Sequence, residues 1–377
     1  MGLVLLASLV SFIVAFTSIP VVIKIADAKK LFDLPDERKV HATPIPSLGG
    51  VGIFAALMLS VSTMVSFSET PGLQYFLGAS VIIFFLGLKD DILLISPMKK
   101  FAGQLIAAFL LVYPGHFQLT SLHGFLGLTA LGPVFSMLFS YITILVVVNA
   151  FNLIDGVDGL AGSLGLVSTL FFGMVFAIEK DFSFAILSFS MAASLLAFLS
   201  YNYSPAKIFM GDTGSLLLGL VNAVLVIRFI NTASLPGTVL HFSAAPAIGF
   251  AALFVPLMDT LRVTIVRVYQ GRSPFDPDVN HIHHLLMKRG LSHMQITGVL
   301  GLLAMGFIAF AILTQSMGIN FVITGLFLSG TAIAAYYKFT PVPSSRIAKN
   351  INASQSVRDN EPSIILKKIS SASELNN

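Results

Sequence analysis

The chain reads as an all-α polytopic membrane protein with about eleven transmembrane helices. Three observations predict this. Of 377 residues, 55% are hydrophobic and 11% are charged, against roughly 25% charged in soluble domains. The mean hydropathy is +0.88. Apolar runs of about 20 residues, the length that crosses a bilayer, recur between short polar loops. A soluble chain this apolar would expose large patches and aggregate. Cysteine is absent, which excludes disulfides and thiolate chemistry but does not identify a compartment.

The spans fall roughly at 2–24, 48–68, 73–89, 101–114, 131–149, 160–178, 182–201, 215–233, 243–262, 296–316 and 318–338. The first lacks a charged leader and a small-residue cleavage site, so it reads as a retained span. One set of loops carries Lys29, Lys30, Arg38 and Lys39, then Lys89, Lys99 and Lys100, then Lys207, then Arg267, Arg272, Lys288 and Arg289. The opposite set holds little beyond Lys180 and Arg228. The positive-inside rule puts the first set in the cytoplasm, with the N-terminus outside and the C-terminus cytoplasmic. Residues 114–127 suggest a small interfacial loop. Residues 1–340 form the membrane domain. Residues 341–377 form a polar, Ser- and Asn-rich tail, expected to be disordered or loosely packed.

The acids carry the functional signal, because a carboxylate beside hydrocarbon is costly and rarely idle. Asp90-Asp91 closes the third span; adjacent carboxylates repel, which favours a bound cation, a nearby base or one raised pKa. A solvated helix end beside Lys89, Lys99 and Lys100 reads equally well for this pair alone. Asn149, Asn152, Asp155 and Asp158 lie within ten residues that follow an apolar span, with Gly156 and Gly159 flanking Asp158. In a helix Asn152 shares a face with Asp155, and Asp155 with Asp158. Such oxygen ligands suit a hard cation such as Mg²⁺, although an Asx-rich turn has the same composition. Phe209-Met210-Gly211-Asp212-Thr213-Gly214 opens the eighth span, as an N-cap, an anion site at a helix N-terminus, or both.

The loop from Arg262 to Gly290 gathers Arg267, Arg272, His281, His283, His284, Lys288 and Arg289. This density of bases suits phosphate. A zinc site and a basic loop on anionic lipid are the competing readings. The 36–50 loop, with Lys39 and His41, offers a further wall. All these segments fall on one predicted side of the membrane.

Together, Asp90-Asp91, the Asn149–Leu160 stretch, Met210–Gly219 and His281–His284 resemble the polyprenyl-phosphate N-acetylhexosaminyl-1-phosphate transferases. That membrane family includes undecaprenyl-phosphate GlcNAc-1-phosphate transferases and the phospho-MurNAc-pentapeptide translocase. The likeness runs from about residue 25 to 340. It implies attack of a polyprenyl (undecaprenyl) phosphate oxygen on the sugar-linked phosphorus of a UDP-N-acetylhexosamine, with UMP leaving. It implies Mg²⁺, with Mn²⁺ as an alternative ion, on Asp212 and Asn152. It gives Asp90 and Asp91 the lipid-phosphate end, puts Asp155 between metal and diphosphate, and makes Asp158 with Phe209 the uracil reader. It places Arg272, His281, His283 and His284 on phosphate, and Lys39 and His41 near the nucleotide. The histidine segment after Gly271–Phe275 points to the GlcNAc-1-phosphate branch, with the phospho-MurNAc-pentapeptide branch as the alternative. The expected setting is the inner (plasma) membrane with a cytoplasmic active site. No nucleic-acid partner is expected, and a homodimer is left open. An ion-coupled transporter is the reading from a different class; it wants acids at mid-helix and internal repeats, and none is visible here.

Overall fold

The computed structural model describes residues 1–31, 45–233, 235, 237–273 and 281–340. It is a bundle of helices: α1 (Gly2–Lys29), α2 (Gly49–Met64), α3 (Gly72–Leu93), α4 (Pro97–Val112), α5 (Pro133–Ile154), α6 (Leu160–Ile178), α7 (Phe182–Asn202), α8 (Gly211–Thr232), α9 (Ala245–Ala252), α10 (Phe254–Tyr269), α11 (Ile282–Lys288), α12 (His293–Thr314) and α13 (Ile319–Phe339). A helix, or a bent pair of helices, stands at each apolar run read from the sequence. Among the described residues, seven helices are long and apolar enough to cross a membrane: α1, α5, α6, α7, α8, α12 and α13. The bent pair α9–α10 would make eight. Helices α2 and α4, at 16 residues each, are short for a span.

Two features depart from the sequence reading. The run at 243–262 was expected as one span, but it breaks at Leu253 into α9 and α10, which meet at 80°. Pro256 explains the break. Its nitrogen has no hydrogen to give the carbonyl of Ala252, four residues earlier, and its ring crowds that carbonyl; α9 ends at Ala252. The 114–127 stretch, expected as a small loop, contains strand structure. It leads into a hairpin of β1 (Ser121–Phe125) and β2 (Leu128–Ala130), paired antiparallel, so the fold is not helical throughout.

Helix α8 is the axis of the bundle, buried along nearly its whole length. It is packed by α2, α3, α5, α6, α7 and α9. The close approach depends on glycine. A Cβ on Gly50 would lie 2.1 Å from the Gly214 nitrogen, and one on Gly87 would lie 2.5 Å from Thr213 Cα. Backbones of α2 and α3 therefore touch the first turn of α8, where Asp212 sits.

Candidate active site

The last turn of α3 and the first turn of α8 meet through Asp91. Its Oδ1 accepts the Asp212 N–H at 2.7 Å. Its Oδ2 accepts the Thr213 N–H at 3.0 Å and the Thr213 hydroxyl at 2.5 Å. The open N–H groups of a helix start need such an acceptor, and α8 has no side-chain cap of its own. Gly211, at φ +69°, makes the turn; a Cβ there would lie 2.2 Å from the Ser47 carbonyl oxygen and 2.7 Å from Asp91 Oδ2. Neighbouring Asp90 has different partners. It accepts the Ile95 N–H at 2.7 Å and Lys100 Nζ at 3.2 Å. The acidic pair thus splits into one carboxylate that holds a helix and one that faces a cation.

Lys100, in the first turn of α4, is where three elements converge. Its ammonium bonds Asp212 Oδ2 from α8, Asp90 Oδ2 from α3 at 3.2 Å and Asn152 Oδ1 from α5 at 3.3 Å. Asn152 Nδ2 donates to Asp212 Oδ1 at 2.8 Å and Ser215 Oγ at 3.0 Å. One turn later on α4 and one turn earlier on α5, Gln104 and Asn149 exchange amide hydrogen bonds at 2.8 and 3.3 Å. The i,i+4 spacing on α4 and i,i+3 spacing on α5 align both layers. Two carboxylates and an amide oxygen around one positive charge form the donor set a hard divalent cation prefers. Among the described residues, no three His, Asp or Glu side chains gather as a metal site.

The turn between α5 and α6 forms a second cluster. Asp155 ends α5. Exclusion of water pushes its carboxyl up to about 8, with help from the negative charges of Asp212, Asp91 and Asp158. Asp158 is buried, its Oδ2 3.2 Å from His293 Nδ1 at the start of α12. Its carbonyl accepts the Thr297 hydroxyl at 3.0 Å. Gly156 leaves room for His283: a Cβ there would lie 2.5 Å from His283 Nε2. His283 is itself buried, its ring 4.4 Å from that of His284 and 5.6 Å from that of His281. Burial first, then the neighbouring His284, holds its pKa down to about 3. His283 therefore meets the turn as a neutral ring, not a cation.

The 45–50 segment is joined to Phe209 and Met210 by backbone bonds. Phe209 N–H donates to the Pro46 carbonyl at 2.8 Å, and the Gly49 and Gly50 N–H groups donate to the Phe209 and Met210 carbonyls at 2.9 Å. Phe209 is half-buried there. Arg272 lies exposed beyond the end of α10, its N–H bonded to the Arg267 carbonyl. Lys39 and His41 lie outside the described residues. The structure thus unites Asp90, Asn152 and Asp212, sets Asp91 beneath them, and gathers Asp155, Asp158 and His283 at one turn. Sequence reasoning passed over Lys100, His293 and Asp259. Asp259 carries a signal, as the lone acid of an apolar run; Lys100 enters only among the basic residues of its loop, and His293 is not singled out.

The model of glycosyl transferase family 4 matches residues 73–230, which contain Asp90, Asn152, Asp158 and Asp212. The chain is 34% identical over 331 residues to the decaprenyl-phosphate N-acetylglucosaminephosphotransferase of Mycobacterium leprae (strain TN), covering 81% of this chain and 82% of that protein. It is 34% identical over 317 residues to a probable undecaprenyl-phosphate N-acetylglucosaminyl 1-phosphate transferase of Bacillus subtilis (strain 168), covering 83% and 85%. It is 30% identical over 278 residues to the undecaprenyl-phosphate alpha-N-acetylglucosaminyl 1-phosphate transferase of Escherichia coli O157:H7, covering 72% and 73%.

Proposed function

The chain belongs to glycosyl transferase family 4, and on that premise we propose that it transfers N-acetylhexosamine-1-phosphate, GlcNAc-1-phosphate first among donors, from the UDP-sugar to a polyprenyl phosphate such as undecaprenyl phosphate. The observation that carries this is the convergence of Asp90, Asn152 and Asp212 on one positive charge at the ends of apolar helices. An anionic lipid and an anionic nucleotide can meet there only if cations offset their charge. A phosphate oxygen of the lipid forms a bond to the sugar-linked phosphorus, the bond from that phosphorus to the UMP oxygen breaks, and UMP departs with its electrons. No side chain has to remove a proton first, because the second pKa of a phosphate monoester is about 6.

Mg²⁺, or Mn²⁺ in its place, would sit on Asp212 and Asn152 and offset charge on the diphosphate. The chain's own residues do the remaining work. Asp91 holds the start of α8, so that Asp212 stays aimed at the site. Asp90 orients the lipid phosphate through the shared cation, and Lys100 offers an ammonium to a phosphate oxygen. Asp155, Asp158 and the His281–His284 segment form the nucleotide side. The loop asymmetry of Lys and Arg supports eleven spans, with this site at the cytoplasmic face of the plasma membrane.

Purified protein incubated with radiolabelled UDP-GlcNAc, undecaprenyl phosphate and Mg²⁺ should yield labelled lipid and an equal amount of UMP, both abolished by EDTA. Absence of both products across a panel of UDP-N-acetylhexosamines would reject the proposal.

A further inference from the structure

Asp259 lies in α10, six residues past the break at Leu253, and is only 4% exposed. A carboxylate removed from water needs dedicated partners, and Asp259 has three. Its Oδ2 faces His281 Nδ1 at 2.9 Å. Its Oδ1 accepts the Ile282 N–H at 2.8 Å and the Arg262 guanidinium at 3.1 Å. Two of these partners belong to the histidine segment. Helix α11 has no side-chain cap within its own segment, and Asp259 supplies one from another helix. At seven residues, α11 is too short to hold its shape alone, so its placement depends on such outside contacts. His281 stands at its start, and one residue beyond Ile282 comes His283, seated against Gly156.

We propose that Asp259 is a positioning residue: it latches His281 and the start of α11 to α10, and so seats the His283 ring on the Asp155–Asp158 turn. The inference rests on the transferase reading for its kinetic consequence, but the latch itself is a matter of geometry. Asp259 also selects one form of His281. An Nδ1–H directed at the carboxylate leaves the opposite ring nitrogen, Nε2, for any further partner. An asparagine at 259 has a single acceptor oxygen. It cannot accept from both Ile282 and His281, which are bonded to opposite oxygens of the carboxylate.

The test uses the full-length protein in detergent. Asp259→Asn should remain folded in a thermal melt and lose about 10- to 100-fold in kcat/KM. The ¹⁵N signals of His281 should shift away from the Nδ1–H form. In a His283→Ala background the same substitution should add little further loss, because Asp259 acts through the ring that is already gone. Should Asp259→Asn fail to fold, His281→Asn and His281→Leu make the comparison instead. Asparagine returns an N–H to Asp259, so it should lose at least several-fold less activity than leucine. Unchanged His281 signals, losses that multiply in the double variant, or equal losses for His281→Asn and His281→Leu would overturn the latch. A wild-type protein without product would refute the transferase reading, while the histidine signals still report on the latch.

Discussion

The two ends of the site are built on opposite principles. At the α3–α8 junction, carboxylates face a cation, and glycines bring three helices into backbone contact around Asp212. At the α10–α11 end, His281 and His283 are buried, His283 is kept neutral by its burial and by neighbouring His284, and one carboxylate, Asp259, fixes the start of the short helix. The first end has its electrostatics assembled before any ligand arrives. The second depends on a short helix whose seat is set from another helix. An active site that must neutralise charge and also read a large substrate benefits from this division. Rigid oxygen donors suit a small cation, and a seated ring such as His283 suits an extended ligand.

The comparison breaks most visibly at Asp212. Asp212→Asn should leave the fold intact and lower kcat about 10²- to 10³-fold, the scale for removing one preorganised charged group; UMP release paired with a thermal melt measures it. A variant with near-normal turnover would place the chemistry elsewhere.

Lys100→Met sharpens the same end. With the ammonium gone, Asp90, Asn152 and Asp212 lose the charge that now lies among them. Mn²⁺ binding to the substrate-free protein, followed by electron paramagnetic resonance, should tighten at least about tenfold. No change would mean that the lysine and a divalent ion use different positions.

The Asp90-Asp91 pair should separate by readout. Asp91→Asn removes acceptors from the start of α8 and should cost about 1–3 kcal/mol in stability. Asp90→Asn should leave the melting temperature close to that of the parent while activity falls. Equal effects of both on stability would contradict the division of roles described here.

The smallest effect belongs to Asp155. Its folded-state pKa of about 8 exceeds the ordinary value of about 4. Between those values the folded protein keeps a proton that the unfolded chain has lost, so stability from this group declines as pH rises through that window. Asp155→Asn should therefore be more stable than the parent at pH 8 and above, with the difference shrinking towards pH 5. Melts across pH measure this, and a constant difference would show that the raised pKa is not felt in folding.

Much of this architecture was legible in the chain. The apolar runs, the acids at their ends and the histidine segment mark out the helices and the candidate site, because span length and the cost of charge beside hydrocarbon are local properties. Family resemblance paired Asn152 with Asp212 and Asp90 with Asp91; that Asp90 meets the first pair at one ammonium came from the structure. The sequence did not show the break at Leu253, although Pro256 was in plain view, since a proline within an apolar run bends some helices and breaks others.

Sequence by itself determined that the protein is a helical membrane chain with polar chemistry at helix ends. Only the tertiary structure decided who faces whom: Asp91 on the backbone of α8, Lys100 among three oxygens, Asp158 against His293 and Asp259 beneath His281. Those pairings join residues between 10 and 135 positions apart. They depend on how glycine-lined helices stack, and that packing is a property of the whole bundle, not of any one segment.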